Sequence, residues 1–280
     1  MDANDILYVI KIGGNIIDDE EKLNGFFTEF ARIESPYAAG APVTRKILVH
    51  GGGKLATELA EKLHIPQKLV DGRRITDAET LKIVTMVYAG YINKTIVARL
   101  QSVGCNAFGL CGADGGMVVA HKRINPTIDY GFVGDIDSIN VSLIDNLLRQ
   151  GLTLVVAPIT QNDEGQLLNT NADTVAQEIA TALSHAYNVH LIYSFEKSGV
   201  LTDVNDESSV IPQLTWNDYQ RMKSPDHGTG MPKINAGMIP KLDNAFSALE
   251  AGVKKITIGN AEKLAALISG ESGTNVIHGS

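Results

Sequence analysis

Ile6-Leu-Tyr-Val-Ile-Lys-Ile-Gly-Gly14 and Ile47-Leu-Val-His-Gly-Gly-Gly53 are two apolar runs that each end in glycines. Runs this apolar, without alternation, read as strands buried on both faces, the kind found in parallel sheets. Glycines at a strand's end let backbone N–H groups approach an anion closely, and a helix start behind them adds a favourable dipole. Lys11, inside the first run, points to phosphate as that anion. Two such turns in one short segment suit a phosphoryl group cradled from two sides.

Outward from these runs, strand-like stretches alternate with helical ones. Strands are expected at 7–12, 46–50, 106–110, 153–157, 189–193 and 255–258, and helices at 20–33, 55–63, 78–101, 142–150, 174–184 and 241–250. In the fifth helix Val175, Ala176, Ile179, Ala180 and Leu183 fall on one face. The alternation predicts an α/β fold with a mostly parallel sheet covered on both sides. Two hairpins interrupt it, one pairing 116–120 with 128–133, the other pairing 157–160 with 166–168 around Asn162-Asp-Glu-Gly165. The polar stretches 203–209 and 224–230 read as loops, and the second suits a mobile lid. With no Pro/Gly/Ser-rich linker, two lobes on one continuous sheet fit better than two tethered domains.

At 280 residues the chain can bury a large core. Its 44% apolar and 20% charged composition is that of an ordinary globular protein. A net charge of −8, with no basic tail, argues against nucleic acid as a partner, so an anionic substrate must be held by a few placed cations and amides. Cys105 and Cys111 match no zinc or redox spacing, no metal site is expected, and free thiols suit a reducing cytoplasm. No apolar run has the ~20 residues of a membrane span, and the acidic start argues against a signal peptide.

Several motifs carry chemistry. Glycines 51–53 fail as a Walker loop, because Leu48 and Leu55 stand where Gly and Ser/Thr belong. They do satisfy G-x-G-x-x-A, with Asp71 at about the ~20-residue offset of a dinucleotide site, so an NAD(P)-dependent oxidoreductase stays open. Arg73 and Arg74 sit on a loop before a helix capped by Thr76 or Asp77, and arginine is the bidentate partner of carboxylates. Asn169-Thr-Asn-Ala-Asp173 opens a helix with polar tips at spacing two, beyond what a single cap needs. Gly237-Met-Ile-Pro-Lys241 places a lysine in a first helical turn, where the dipole disfavours it unless an anionic partner is present. Gly230-Met-Pro-Lys233 is a near copy, so local grounds do not choose between the two lysines.

Taken together, Lys-Ile-Gly-Gly (11–14), His-Gly-Gly-Gly (50–53), Gly-Arg-Arg-Ile-Thr (72–76), Gly-Leu-Cys-Gly-Ala-Asp-Gly (109–115), Gly-Phe-Val-Gly (131–134), Asn-Thr-Asn-Ala-Asp (169–173) and Gly-Met-Ile-Pro-Lys (237–241) resemble the amino acid kinase family. The likeness runs over nearly the whole chain and is strongest to members that phosphorylate an N-acylated glutamate in arginine biosynthesis. It implies a three-layer α/β/α sandwich whose mainly parallel central sheet has about eight strands. It also implies an N-terminal lobe, 1–174, for acyl-glutamate binding and dimerisation, and a C-terminal lobe, 175–280, for ATP. By the same resemblance, Lys11 and Lys241 offset charge on the transferring phosphoryl group, and the motif's spacing favours Lys241 over Lys233. Asp173 holds both lysines. Gly13 and Gly14 serve the ATP phosphates, Gly52 and Gly53 the substrate side, and Arg74 and Asn169 grip the acyl-glutamate. ATP and Mg²⁺ are the implied cofactors, and carbamate or aspartate kinase the nearest rivals.

Three departures from the family pattern stand out. Arg73 replaces an apolar residue beside the acyl pocket and is a candidate partner for a second carboxylate, as in N-succinylglutamate. The nucleotide-side loop Tyr193-Ser-Phe-Glu-Lys-Ser-Gly199 is longer than usual, leaving Lys197 and Ser198 as the expected ATP contacts. The extra N-terminal helix of arginine-inhibited hexamers has no counterpart, so the resemblance implies a homodimer without arginine feedback.

Overall fold

The computed structural model describes residues 5–33, 42–70, 73–203, 205–224, 234 and 237–278. In chain order its strands are β1 (Ile6–Ile12), β2 (Thr44–His50), β3 (Lys68–Val70), β4 (Arg73–Ile75), β5 (Ala107–Cys111), β6 (Val118–Lys122) and β7 (Gly134–Ile139). They continue with β8 (Thr153–Ala157), β9 (Ile159–Gln161), β10 (Leu167–Asn169), β11 (Asn188–Phe195), β12 (Gln213–Thr215), β13 (Lys255–Asn260) and β14 (Thr274–Ile277). The helices are α1 (Gly14–Ile17), α2 (Glu20–Ala31), α3 (Gly53–Lys62), α4 (Ala78–Thr85), α5 (Asn93–Ser102), α6 (Val141–Arg149), α7 (Ala172–Leu183), α8 (Trp216–Lys223), α9 (Ile239–Glu250) and α10 (Leu264–Ser269). Between α4 and α5 the chain forms a π-helical turn over Met86–Ile92.

An eight-stranded sheet runs in the order β12-β14-β13-β11-β1-β2-β8-β5. Every pairing is parallel except β13 with β14. The expected α/β sandwich is therefore the one observed. β1 lies at the centre, with β2 added on one side and β11 on the other, so the strand order reverses beside it. The carboxyl ends of strands flanking such a reversal open into a crevice where ligands bind.

The two-residue period of β1 decides what enters that crevice. Leu7 and Val9 join the core beneath α6, α7 and α9, while Tyr8, Ile10 and Ile12 join the core beneath α2, α3 and α5. Lys11 continues the odd-numbered series and so lies on the α7 and α9 side. Its register neighbours, Val49 on β2 and Tyr193 on β11, belong to that same core.

Three local expectations are corrected. β6 pairs not with 128–133 but with β7, which begins at Gly134; residues 131 and 133 instead bridge to Thr76 and Asn169. Gly131, at φ +70°, lies so close to the Thr76 carbonyl that any Cβ would strike it, and this contact draws the segment away from β6. The stretch holding Arg73 and Arg74 is a strand paired with β3, not a loop. Residues 78–101 form no single α-helix, since the π-helical turn inserts between α4 and α5. The second hairpin stands as expected, with β9 and β10 antiparallel. The expected lid lies outside the described residues from position 225 onward.

Candidate active site

The site is assembled from the carboxyl ends of β1, β2 and β11 and the amino ends of α3, α7 and α9. Asn171 caps α7, its side chain accepting from the N–H groups of Asp173 (2.7 Å) and Thr174 (3.2 Å). The Asp173 carboxylate is therefore released from capping and turns into the crevice. Lys11 Nζ lies 2.8 Å from Asp173 Oδ1, as an ion pair without hydrogen-bond geometry. Lys241, in the first turn of α9, donates to Asp173 Oδ2 at 2.8 Å. One buried carboxylate thus joins two lysines that come from opposite ends of the chain, and it is the anionic partner that Lys241 requires at a positive helix end.

Burial alone raises a carboxyl's pKa; here the Lys11 and Lys241 ammonium groups outweigh it and hold Asp173 down at about 2. Asp173 is 6% exposed, so this attraction acts away from bulk water. Tyr193 backs the cluster by donating from its hydroxyl to the Asp173 carbonyl at 3.3 Å, and burial pushes its own pKa far up. Gly13 N–H donates to Ser194 O at 2.8 Å, and Ser194 Oγ to Lys11 O at 3.0 Å, tying the first glycine turn to β11.

Two cavities flank the cluster. The first, about 480 Å³, is lined by Lys11, Gly13, Gly14, Lys241 and the apolar Phe195, Val200, Leu201, Ile234 and Met238. The second, about 660 Å³, is lined by glycines 51–53 with Arg73, Arg74, Tyr88, Arg123, Asn169 and Asn244. Gly53 and Lys54 belong to both walls, so the cavities meet there. The N-termini of α3 and α9 open onto this junction without side-chain caps, leaving first-turn amides for an anion.

Lys11, Gly13, Gly14, Asp173 and Lys241 come together at the first cavity, and Gly52, Gly53, Arg73, Arg74 and Asn169 at the second. Arg74 donates to Gly53 O (2.9 Å), Thr57 Oγ1 (2.8 Å) and Gln67 Oε1, so it braces the glycine loop as well as charging the wall. Asn169 gives its amide to Thr76 Oγ1 at 3.0 Å. Lys197 reaches the first cavity but is paired with Glu207 at 2.6 Å. Ser198 lines a separate groove with Glu207, Lys263 and Asn275. Lys233 lies outside the described residues. The sequence reading missed Tyr88, Arg123, Asn244 and Lys54. Of these only Lys54 carried a signal, its place directly after the glycines.

Gly52 has φ +153°, and a Cβ there would collide with Ile92 Cδ1 and press on Tyr88 at 3.1 Å. Gly52→Ala is expected to lower stability by about 2 kcal/mol, the cost of overpacking plus backbone strain, as read from urea unfolding.

A sequence profile of the amino acid kinase family matches residues 7–260. The chain belongs to the amino acid kinase family. Within it, the chain is 53% identical over 264 residues to the acetylglutamate kinase of Cytophaga hutchinsonii, covering 94% of each. It is 48% identical over 270 residues to that of Bacteroides fragilis, covering 96% of each. Among solved structures, the smu.665 protein of Streptococcus mutans superposes with a TM-score of 0.73 at 27% identity, over 97% of this chain and 98% of that one.

Proposed function

We propose that this chain transfers the γ-phosphoryl group of ATP to the side-chain carboxylate of N-acetyl-L-glutamate, giving N-acetyl-L-glutamyl 5-phosphate, a step of arginine biosynthesis. The Lys11–Asp173–Lys241 cluster at the junction of two cavities carries this reading. The attacking carboxylate is already ionised, so no general base is required. What the reaction needs is in-line alignment and relief of repulsion between two anions. The two ammonium groups and the amides of Gly14, Gly52 and Gly53 supply both, while the Gly13 N–H, expected to join them, is spent on Ser194 O. The carboxyl-terminal half, 175–280, together with Lys11 and the first glycine turn, holds the nucleotide, its base against the apolar wall. The amino-terminal half, 1–174, holds the acyl-glutamate against Arg74, Asn169 and Tyr88, where Asn169 Oδ1 can accept the amide N–H.

Mg²⁺ enters as the companion of the ATP phosphates. Both Asp173 oxygens face lysines, and among the described residues no group of three His, Cys, Asp or Glu side chains is placed to hold a metal. A substrate-borne ion that keeps most of its water suits such a site. We further read the chain as a cytoplasmic homodimer. The amino-terminal half exposes Leu69, Met86, Tyr91 and Phe108, large apolar side chains a partner copy would cover, and both cysteines are free. No helix among the described residues is long and apolar enough to cross a membrane.

Arg73 supports a second reading of the acyl group. Its side chain is exposed on the wall of the acyl-glutamate cavity and makes no ion pair or hydrogen bond among the described residues, whereas Arg123 on the same wall is engaged by Asp135. A free guanidinium there would pair with the terminal carboxylate of N-succinylglutamate. Coupled ADP release with glutamate, N-acetylglutamate and N-succinylglutamate tests both readings. Turnover with an N-acylated glutamate and none with free glutamate is expected. Silence with all three overturns the function, and a clear acetyl preference removes the role of Arg73.

A further inference from the structure

His50 ends β2 immediately before the glycine loop and is fully buried, as is Asn93, the first residue after the π-helical turn. Neither lines the two cavities. Asn93 Nδ2 lies 3.1 Å from His50 Nε2 and donates to Val155 O at 2.9 Å. Its Oδ1 accepts from Lys94 Nζ at 3.0 Å, and the same Nζ donates to Gly109 O at 2.8 Å. The Val155 carbonyl on one side and the Lys94 ammonium on the other fix which way the Asn93 amide faces. Its NH₂ therefore points at His50, so Nε2 accepts and Nδ1 carries the proton. Nδ1 in turn lies 2.9 Å from Gly51 O, to which it donates. Burial, with Lys94 nearby, keeps this imidazole neutral, its pKa pushed down to about 4, and the tautomer is thus single-valued.

The same π-helical turn presents Tyr88 and Ile92 to Gly52, the one glycine of the 51–53 loop where a Cβ would collide. π-Helical insertions are frequent at functional sites, because they shift which side chains face a neighbour. A regular α-helix through Met86–Ile92 would rotate Asn93 by about 100° per displaced residue and remove it from His50. Gly109, from a sequence motif the two cavities do not use, also finds its reason here: a Cβ would run into Asn93 Oδ1 and press on Val97 at 2.7 Å. Residues of β2, β5, β8 and α5 thus converge on the His50–Asn93 pair, and His50 passes the constraint to the Gly51 carbonyl.

We infer that His50 is a positioning residue for the acyl-glutamate: clamped by Asn93, it fixes the Gly51 carbonyl and so aims the Gly52 and Gly53 amides into the acceptor cavity. The inference rests on the acyl-glutamate reading for its substrate, while the loop geometry is independent of it.

The test separates the two hydrogen bonds of the imidazole. In His50→Asn the amide nitrogen stands near the place of Nδ1 and keeps a donor for Gly51 O, losing only the bond to Asn93. In His50→Gln the terminal amide stands near Nε2 and meets Asn93, but nothing donates to Gly51 O. Steady-state kinetics of H50Q should show kcat/KM for the acyl-glutamate down by about 10- to 100-fold, mostly in KM, the scale of a loop misplaced by about an ångström. H50N should recover to within about fivefold of the parent, the worth of one hydrogen bond, with KM for ATP little changed in either. Gly109→Ala, which displaces Asn93 from outside both cavities, should raise the same KM and leave that for ATP alone. Equal losses in H50N and H50Q that follow their melting temperatures, or an unaltered acyl-glutamate KM in H50Q or G109A, overturn the role. Should the parent enzyme phosphorylate no N-acylated glutamate, the functional reading fails by itself. Amide exchange at residues 51–53 then decides His50, with faster exchange in H50Q than in H50N supporting the clamp and equal exchange overturning it.

Discussion

Asp173→Asn is expected to lower kcat by about a thousandfold while leaving KM for ATP within severalfold of the parent. Losing one preorganised electrostatic group at a transition state costs about 100- to 1,000-fold, and Asp173 organises two, so the upper end applies. The replacement amide turns a donor toward one of two lysines that already face each other across the carboxylate. With the counter-charge gone, the ammonium groups repel and leave the line of transfer. The fold survives the change, because Asn171 and not Asp173 caps α7. Stability does fall, by about 3 kcal/mol, since removing one partner of a buried ion pair strands the other. An ADP-release assay beside urea unfolding reads both effects, and a kcat within tenfold of the parent would remove Asp173 from the mechanism.

The same carboxylate sets an acid limit. Its pKa falls from 3.8 to about 2 on folding, so the folded state binds this proton more weakly than the unfolded one. The associated stabilisation, roughly 2 kcal/mol, is complete above about pH 4 and disappears as pH falls toward 2. Unfolding measured at pH 3 and pH 5 should differ more in the parent than in Asp173→Asn.

Lys11→Ala and Lys241→Ala are each expected to cut kcat by about 100- to 1,000-fold, and the double variant by little more than either single one. The non-additivity follows from the geometry. Each lysine is aligned by the carboxylate it shares with the other, so removing one frees Asp173 to bind its partner more closely and pull it off the phosphoryl group. The two variants should separate in stability. Lys11 is buried within β1, and its loss leaves a cavity beside Tyr193; Lys241 sits against the unfavourable end of the α9 dipole, so its loss relieves that term. Single-turnover kinetics on saturated enzyme isolates the chemical step. An unchanged rate in either variant sinks the assignment of that lysine, and losses that multiply in the double variant show that the lysines act independently.

What was legible in the sequence was local. Strands β1, β2, β8, β11 and β13 could be placed because their apolar runs admit no exposed face, and α7 because its apolar side repeats at helical spacing. Lys11 stood out as a charge inside such a run, and the glycines as turns that make room for an anion. The short strands β12 and β14 were not legible, since three- and four-residue strands carry no period of their own and exist only against neighbours. Nor was the π-helical turn, because one extra residue in a helical repeat leaves composition and apolar spacing nearly unchanged.

The sequence by itself determined the alternation of strands and helices, the parallel sheet, and a lysine inside the buried run of β1, all consequences of side-chain period and burial. Tertiary structure alone decided that Asn171 and not Asp173 caps α7, that Arg73 and Arg74 lie on a paired strand, and that His50 meets Asn93. Each of these depends on which elements become neighbours. Distant segments carry no local record of that choice; it is settled by how the two helical layers bury the two faces of β1.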